Sequence, residues 1–313
     1  MSKRSKKEIK KAKARSRERR QQLLAAFGLE WVGTALKVLK YLFLFVLFVI
    51  VPLAALVLLA LQCRRGGDWS HFRKYRYAHR GLHRKGLPEN SMAAFRDALD
   101  HGYGIELDLH LMKDGNIAVV HDSKLGRMCG ADAVIEDLTA EDLPKLKLDY
   151  TEETIPLFED VLKLFNGRPE PMVVELKVAN GNQNELAAKT MELLDRYDVH
   201  YVIESFDPRA VCWLRANRPE VLRGQLSTAL TKPEHGGGSE KKLSLMLVEH
   251  LFTNVIAQPD FIAYDFTERN IPELQICRKF YKVQEVSWTI RTPEDAAAAE
   301  KLGNLVIFEN FGW

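Results

Sequence analysis

Eight strand-length apolar runs, separated by amphipathic helical stretches across the 237 residues from Tyr77 to Trp313, predict a parallel (β/α)8 barrel of the TIM type. That architecture typically takes about 250 residues, and no GxGxxG turn supports its rival, a doubly wound open sheet. Ahead of it, residues 41–61 (YLFLFVLFVIVPLAALVLLAL) form a 21-residue run without a single charge. A bilayer core needs about 20 residues at helical rise, so a single transmembrane helix is predicted there. Four parts follow: a basic tail and interfacial segment at 1–40, the span at 41–61, a linker at 62–76, and the barrel at 77–313.

In chain order, the tail comes first. Residues 1–20 hold 11 Lys/Arg against Glu8 and Glu18, although the whole chain carries only +3. A basic tail on a mildly acidic body is a targeting pattern. It lacks interleaved aromatics, so no nucleic-acid partner is expected. Residues 23–40 are read as an interfacial helix. The span shows no polar stripe, unlike a core helix of that length, and Pro52 is tolerated there as a kink. A cleaved signal peptide fits poorly, because the run is too long and begins some 40 residues in. The positive-inside rule places the N-terminus in the cytoplasm and the barrel outside the cell membrane. A second basic cluster within 64–76 and unpaired cysteines pull the other way.

Cys63, Cys129, Cys212 and Cys277 show no CxxC or zinc spacing, which argues against a disulfide framework. The last three read as small buried hydrophobes. Cys63 ends the apolar run, where palmitoylation is the weaker reading.

Candidate barrel strands are 77–79, 105–109, 172–177, 201–205, 222–226, 261–264, 286–290 and 305–308, with helices such as 91–101, 157–165 and 184–197 between them. One unit departs from the repeat. Asp114-Gly115 between apolar runs predicts a hairpin whose second strand returns antiparallel, carrying His121 and Asp122 to the barrel mouth. Gly236-Gly237-Gly238 marks a loop. The apolar stretch 242–258 reads as an outer barrel helix, with a sharper alternative in which it rests on the bilayer and admits lipid-like substrates.

Parity carries the chemistry. Glu106 and Asp108 fall on one strand face, Ile105, Leu107 and Leu109 on the other, and Glu175 and Lys177 repeat the pattern. Buried inward acids are costly unless compensated. Three carboxylates without thiols suit one hard divalent cation, Mg²⁺ or Ca²⁺. His79 and Arg80 end the first strand, where barrel enzymes place catalysis. Arg80 can grip a phosphate bidentately, Lys177 adds a point charge, and His79 with His121 can divide acid and base duties.

His79-Arg80-Gly81, Pro88-Glu89-Asn90-Ser91, Glu106-Leu107-Asp108, Lys113-Asp114-Gly115 with His121-Asp122, and Glu175-Leu176-Lys177 together resemble the glycerophosphodiester phosphodiesterase family in order and spacing. Ser205-Phe206-Asp207 and Ser287-Trp288-Thr289 are similar to later family motifs. The resemblance implies hydrolysis of a glycerophosphodiester to glycerol 3-phosphate and an alcohol. By it, Glu106, Asp108 and Glu175 are metal ligands, His79 and His121 the acid–base pair, and Arg80 and Lys177 the phosphate grip. Glu89 and Asn90 order the loop closing the site, while Phe206 and Trp288 line the wall. Two departures stand out: Arg291 where relatives carry Asn, and Phe308-Glu309-Asn310-Phe311 where they carry Thr-Asp-x-Pro. Both touch the pocket rim and bear on substrate choice. The rival activity is a lysophospholipase D using lysolipids; a catalytically silent phosphate-binding module is a different class. Expected partners are the small-molecule diester and membrane lipid, with no obligate protein partner.

Overall fold

Val, Ile and Leu crowd the expected strands, and side chains branched near the backbone sit well on a pleated, buried sheet. In the computed structural model, which describes residues 3–64, 66–232 and 242–311, these runs become strands. They are β1 (Tyr77–Ala78), β2 (Gly104–Leu111), β3 (Ile117–Val119), β4 (Met172–Leu176), β5 (Tyr201–Ser205), β6 (Arg223–Ser227), β7 (Phe261–Asp265), β8 (Gln284–Ile290) and β9 (Leu305–Phe308). Parallel pairing runs β1-β2-β4-β5-β6-β7-β8-β9, and β9 returns to β1 with Ile307 opposite Tyr77. The sheet closes into the eight-stranded parallel barrel. β3 is the expected exception, antiparallel to the far end of β2 with Leu109 opposite Val119. Gly115, at φ +81°, makes the turn, and Asp114 accepts from the Asn116 amide at 3.1 Å.

Each strand is divided between two cores by its alternation. Outward, Ile105, Leu107, Leu109, Val174 and Leu176 pack against helices Met92–Asp100, Phe158–Phe165 and Gln183–Leu194. Inward, Tyr77, Val173, Val202, Leu226, Phe261 and Ile307 make an apolar floor. Trp69 and Phe72, from the segment read as a linker, join it, Trp69 standing edge-on to Phe261 at 5.4 Å between ring centres. The Phe261 ring lies so close to Gly224 that a β-carbon there would stand 2.2 Å away.

Two local expectations change within the barrel unit. The stretch 242–258 is not one helix. It forms Lys242–Glu249 and Asn254–Ala257, with Leu251 at φ +60° between them. Leu251 and Ala257 are buried, while Leu243 and Ile256 are exposed. Among the cysteines, Cys63 and Cys277 are buried, whereas Cys129 and Cys212 are half-exposed. The triple-glycine loop lies outside the described residues.

The chain divides into two units, Met1–Val57 and Leu58–Trp313. The first is helical from Lys3 onward, and 23–40 lies within its continuous helix Lys3–Phe45. Helix Lys3–Phe45 passes through a π turn at Val46–Ile50 into Val51–Ala60. Pro52 explains the widening: it offers no N–H to the carbonyl four residues back, and its ring crowds that turn. This helix is long and apolar enough to cross a membrane.

Candidate active site

Past the floor, the inward positions change character. β2 presents Glu106, Asp108 and His110, β4 presents Glu175, and Lys177 directly follows it. Glu106, Asp108 and Glu175 are at most 5% exposed, and one ligand atom from each lies within 4.8 Å of the others. The three expected ligands therefore meet.

Such crowding is costly without compensation. Lys177 Nζ lies 3.0 Å from Asp108 Oδ1 and 2.8 Å from Glu175 Oε1. Arg80 donates its backbone N–H to Glu106 Oε2 at 3.0 Å, and its Nε stands 3.4 Å from Asp108 Oδ2. Asn90 Nδ2 donates to the same Asp108 oxygen at 2.8 Å. Arg80 and Asn90 both take the left-handed backbone, φ +54°, beside Gly81 at +80°. At Gly81 a β-carbon would meet Ala94 and Phe95 at 2.9 Å, so the sharp departure from β1 needs glycine.

The compensation is incomplete. Burial, then the Asp108 and Glu175 charges, push Glu106 well above the usual carboxylate range. Glu175 is raised to about 7, again mainly by burial. Asp108, which burial alone would raise, is held well below its ordinary value by Lys177 and Arg80. Glu204 on β5, level with Glu175, is a further buried acid raised by burial and by Glu175. An all-oxygen set with this surplus of negative charge fits a hard divalent cation.

Both histidines are backed by carboxylates. His79 Nδ1 lies 2.7 Å from Glu309 Oε2, and its Nε2 is 3.8 Å from Glu106 Oε2. Burial lowers His79, while the Glu309 hydrogen bond opposes that shift. Glu309 also accepts from Arg291 Nε at 2.6 Å. His121 Nδ1 lies 2.7 Å from Asp122 Oδ1, and Asp122 accepts from Arg127. Burial brings His121 down to about 4; Asp108 resists this, while Lys177 and Arg80 reinforce it. Glu89 bridges Arg80 Nη1 at 2.9 Å and Arg127 Nη2 at 2.6 Å, tying the Pro88–Ser91 loop to both.

A cleft of about 670 Å³ opens over this site, lined among others by His121, Arg127, Glu175, Lys177 and Phe206. Trp288 is edge-on to Phe206 at 5.8 Å, and both pack against the floor core. Glu106 and Asp108 do not line the cleft; they lie buried alongside Glu175 and Lys177.

Four residues of this arrangement had not been singled out in the sequence as site groups. His110 Nδ1 lies 2.6 Å from Glu136, and its Nε2 is 3.2 Å from the His121 carbonyl, so it holds the returning strand. Its parity with Asp108 was the available signal, as parity with Val202 was for Glu204. For Glu309 only the closed fold supplies the partner, while Arg127 meets Asp122 five residues away and Glu89 from the Pro88–Ser91 loop.

Crowded carboxylate oxygens set beside an arginine, a lysine and two imidazoles fit the chemistry of a metal-assisted phosphodiester hydrolase on a TIM barrel. The chain belongs to the glycerophosphoryl diester phosphodiesterase family, whose sequence pattern matches residues 79–311. Dependence on a divalent metal is general in that family. A glycerophosphodiester phosphodiesterase of Bacillus altitudinis is 38% identical over 131 residues, 39% of this chain and 53% of that protein. One from Caldanaerobacter subterraneus is 27% identical over 236 residues, 72% of this chain and 89% of its own length. The lysophospholipase D GDPD1 of Homo sapiens is 36% identical over 134 residues, 39% of this chain and 41% of its own. This chain therefore spans about half the length of some of these relatives and nearly all of another. An Oleispira antarctica phosphodiesterase, solved with sn-glycerol-3-phosphate as product, superposes with a TM-score of 0.61 at 23% identity, over 75% of this chain and 92% of that one. At that identity the likeness speaks for the fold.

Proposed function

We propose that this protein is a membrane-anchored, divalent-metal-dependent glycerophosphodiester phosphodiesterase that releases glycerol 3-phosphate and an alcohol. Family membership supports the class of reaction. The observation that carries the reading is the convergence of Glu106, Asp108 and Glu175 within 4.8 Å on the barrel's inner face, beside Lys177 and Arg80.

In this reading the three carboxylates hold one Mg²⁺ or Ca²⁺. Bound there, the ion polarises a phosphoryl oxygen and offsets charge in the transition state. Arg80 and Lys177 orient the phosphate, preorganised by Glu89, Asp108 and Glu175. His121, neutral at physiological pH, accepts the proton of the nucleophile. His79, whose protonated form the Glu309 carboxylate favours through Nδ1, delivers that form's Nε2 proton to the departing alkoxide. Asn90 fixes Asp108, and Glu89 fixes the loop. Phe206 and Trp288 bound the space for glycerol or alcohol carbons. The apolar helix anchors the enzyme with its N-terminus cytoplasmic and the barrel external, an orientation that protease protection in intact cells will test.

Glycerol 3-phosphate release from glycerophosphocholine and glycerophosphoethanolamine, with and without chelator, tests the activity. Metal-dependent release is expected. No release from the metal-loaded protein, or release indifferent to chelator, rejects the reading.

A lysolipid substrate is favoured by one further observation. Leu243, Met246, Leu247 and Ile256 present exposed apolar surface on the segment after β6. Lysophosphatidylcholine assayed beside glycerophosphocholine separates the two activities, and preference for the lysolipid makes it the substrate.

A further inference from the structure

Within the barrel unit, residues 58–64 carry a second buried polar cluster, apart from the hydrolytic site. Leu61 and Cys63 are buried, the Arg64 N–H donates to the Pro259 carbonyl at 3.0 Å, and Tyr281 Oη donates to the Leu58 carbonyl. Cys277, fully buried, opens the turn Cys277–Tyr281 on the helix after β7. Asn254 Nδ2 donates to Cys63 Sγ at 3.4 Å and to Cys277 Sγ at 3.8 Å. Both thiols donate in turn to the Leu61 carbonyl, at 3.4 Å and 3.6 Å. Two sulfurs that share one donor and one acceptor are neighbours.

Packing alone does not account for this arrangement. A buried amide is costly unless well bonded, yet Asn254 spends its N–H on two sulfurs, and its Oδ1 has no partner. The neighbouring Cys277 thiol, then burial, hold the Cys63 thiol well above its ordinary value, and the Asn254 N–H, which favours the thiolate that attacks a disulfide, opposes part of that rise. The other two cysteines, Cys129 and Cys212, are half-exposed, and no hydrogen bond joins either to another thiol among the described residues.

We propose that Cys63 and Cys277 are a dithiol–disulfide couple whose closure fastens the segment following the apolar helix to the outer face of the barrel. The oxidant is a small-molecule or protein disulfide, RSSR. One cysteine thiolate attacks it and forms a mixed disulfide, expelling one thiolate, which takes up the first proton. The second cysteine, deprotonated, displaces the remaining RS⁻ and forms the Cys63–Cys277 bond. Two electrons and two protons pass to RSSR, giving two RSH. Burial then shields the bond from reductant, so a barrel facing an oxidising compartment keeps it closed.

Full-length protein in detergent micelles, incubated with glutathione disulfide and then alkylated under denaturing conditions, tests this by intact mass and peptide mapping. The expected product is two hydrogens lighter, with one cross-linked peptide pair carrying Cys63 and Cys277, and its Tm is several degrees higher than that of protein kept reduced throughout. Cys63→Ser and Cys277→Ser each abolish the cross-link and the Tm rise while leaving hydrolytic turnover unchanged. Refolding in a glutathione redox buffer covers the case in which burial bars the oxidant from the folded protein. Four alkylatable thiols after both treatments, or a bond to Cys129 or Cys212, overturns the proposal.

Discussion

The floor and the rim of this barrel are made by the same strands with the same pleat, yet they bury opposite things. On β4, Val173 belongs to an apolar core with Phe261 and Tyr77, while Glu175, one inward step of about 7 Å further along, joins a crowd of carboxylates. The floor gains stability from apolar burial; the rim loses some, because its acids raise one another's proton affinity. A barrel can thus keep its stabilising and its reactive layers a single pleat repeat apart, with residue identity alone deciding which is which.

The sharpest way to break that contrast is at the rim. Glu175→Gln should abolish divalent-metal binding by calorimetry and lower turnover by roughly 10³-fold or more, since several kcal/mol of transition-state stabilisation go with the ion. Its Tm should hold or rise, because a crowded charge is removed. A variant that still bound metal and turned over normally would erase the distinction between the layers. Next, His121→Ala should cost ~10²–10⁴-fold in turnover while metal affinity and Tm stay near wild type. Near-normal turnover there would remove His121 from the chemistry.

The floor should respond in the opposite sense. Leu226→Ala is expected to cost about 2–5 kcal/mol of stability by chemical denaturation, without changing metal affinity of the folded protein. A change in affinity would show that the layers are coupled. The smallest effect concerns pH. NMR titration of His121 should give a midpoint of about 4, below the ordinary value of roughly 6.5. Between those values the unfolded chain binds a proton that the folded one refuses, so stability rises with pH across the window. In His121→Ala that part of the slope should vanish.

Much of this was legible in the sequence, for a physical reason. Strands of a parallel barrel are buried on both faces, so they read as continuous apolar runs, and an inward acid interrupts such a run visibly. The Asp114-Gly115 turn was equally plain, since the hairpin needs a residue at positive φ. Glu309 was not legible as the partner of His79. The two stand 230 residues apart, and only closure of β9 on β1 brings them together. Arg291 and Glu309, the two positions that depart from the motifs of the resemblance, follow the paired strands β8 and β9 and meet each other there. The break at Leu251 carried no glycine or proline, and Trp69 with Phe72 sat in a stretch too short to show a period. Neither had a local signal.

Trp69 and Phe72 have a practical consequence for anyone trimming this protein. The family pattern begins at residue 79, and a fragment cut there would discard β1's Tyr77 and the two aromatic rings that fill the base of the cylinder. The hole would lie at the end remote from the hydrolytic groups, so the truncated enzyme would fail through collapse or aggregation and would be mistaken for one lacking activity. A minimal soluble version has to begin upstream of residue 69.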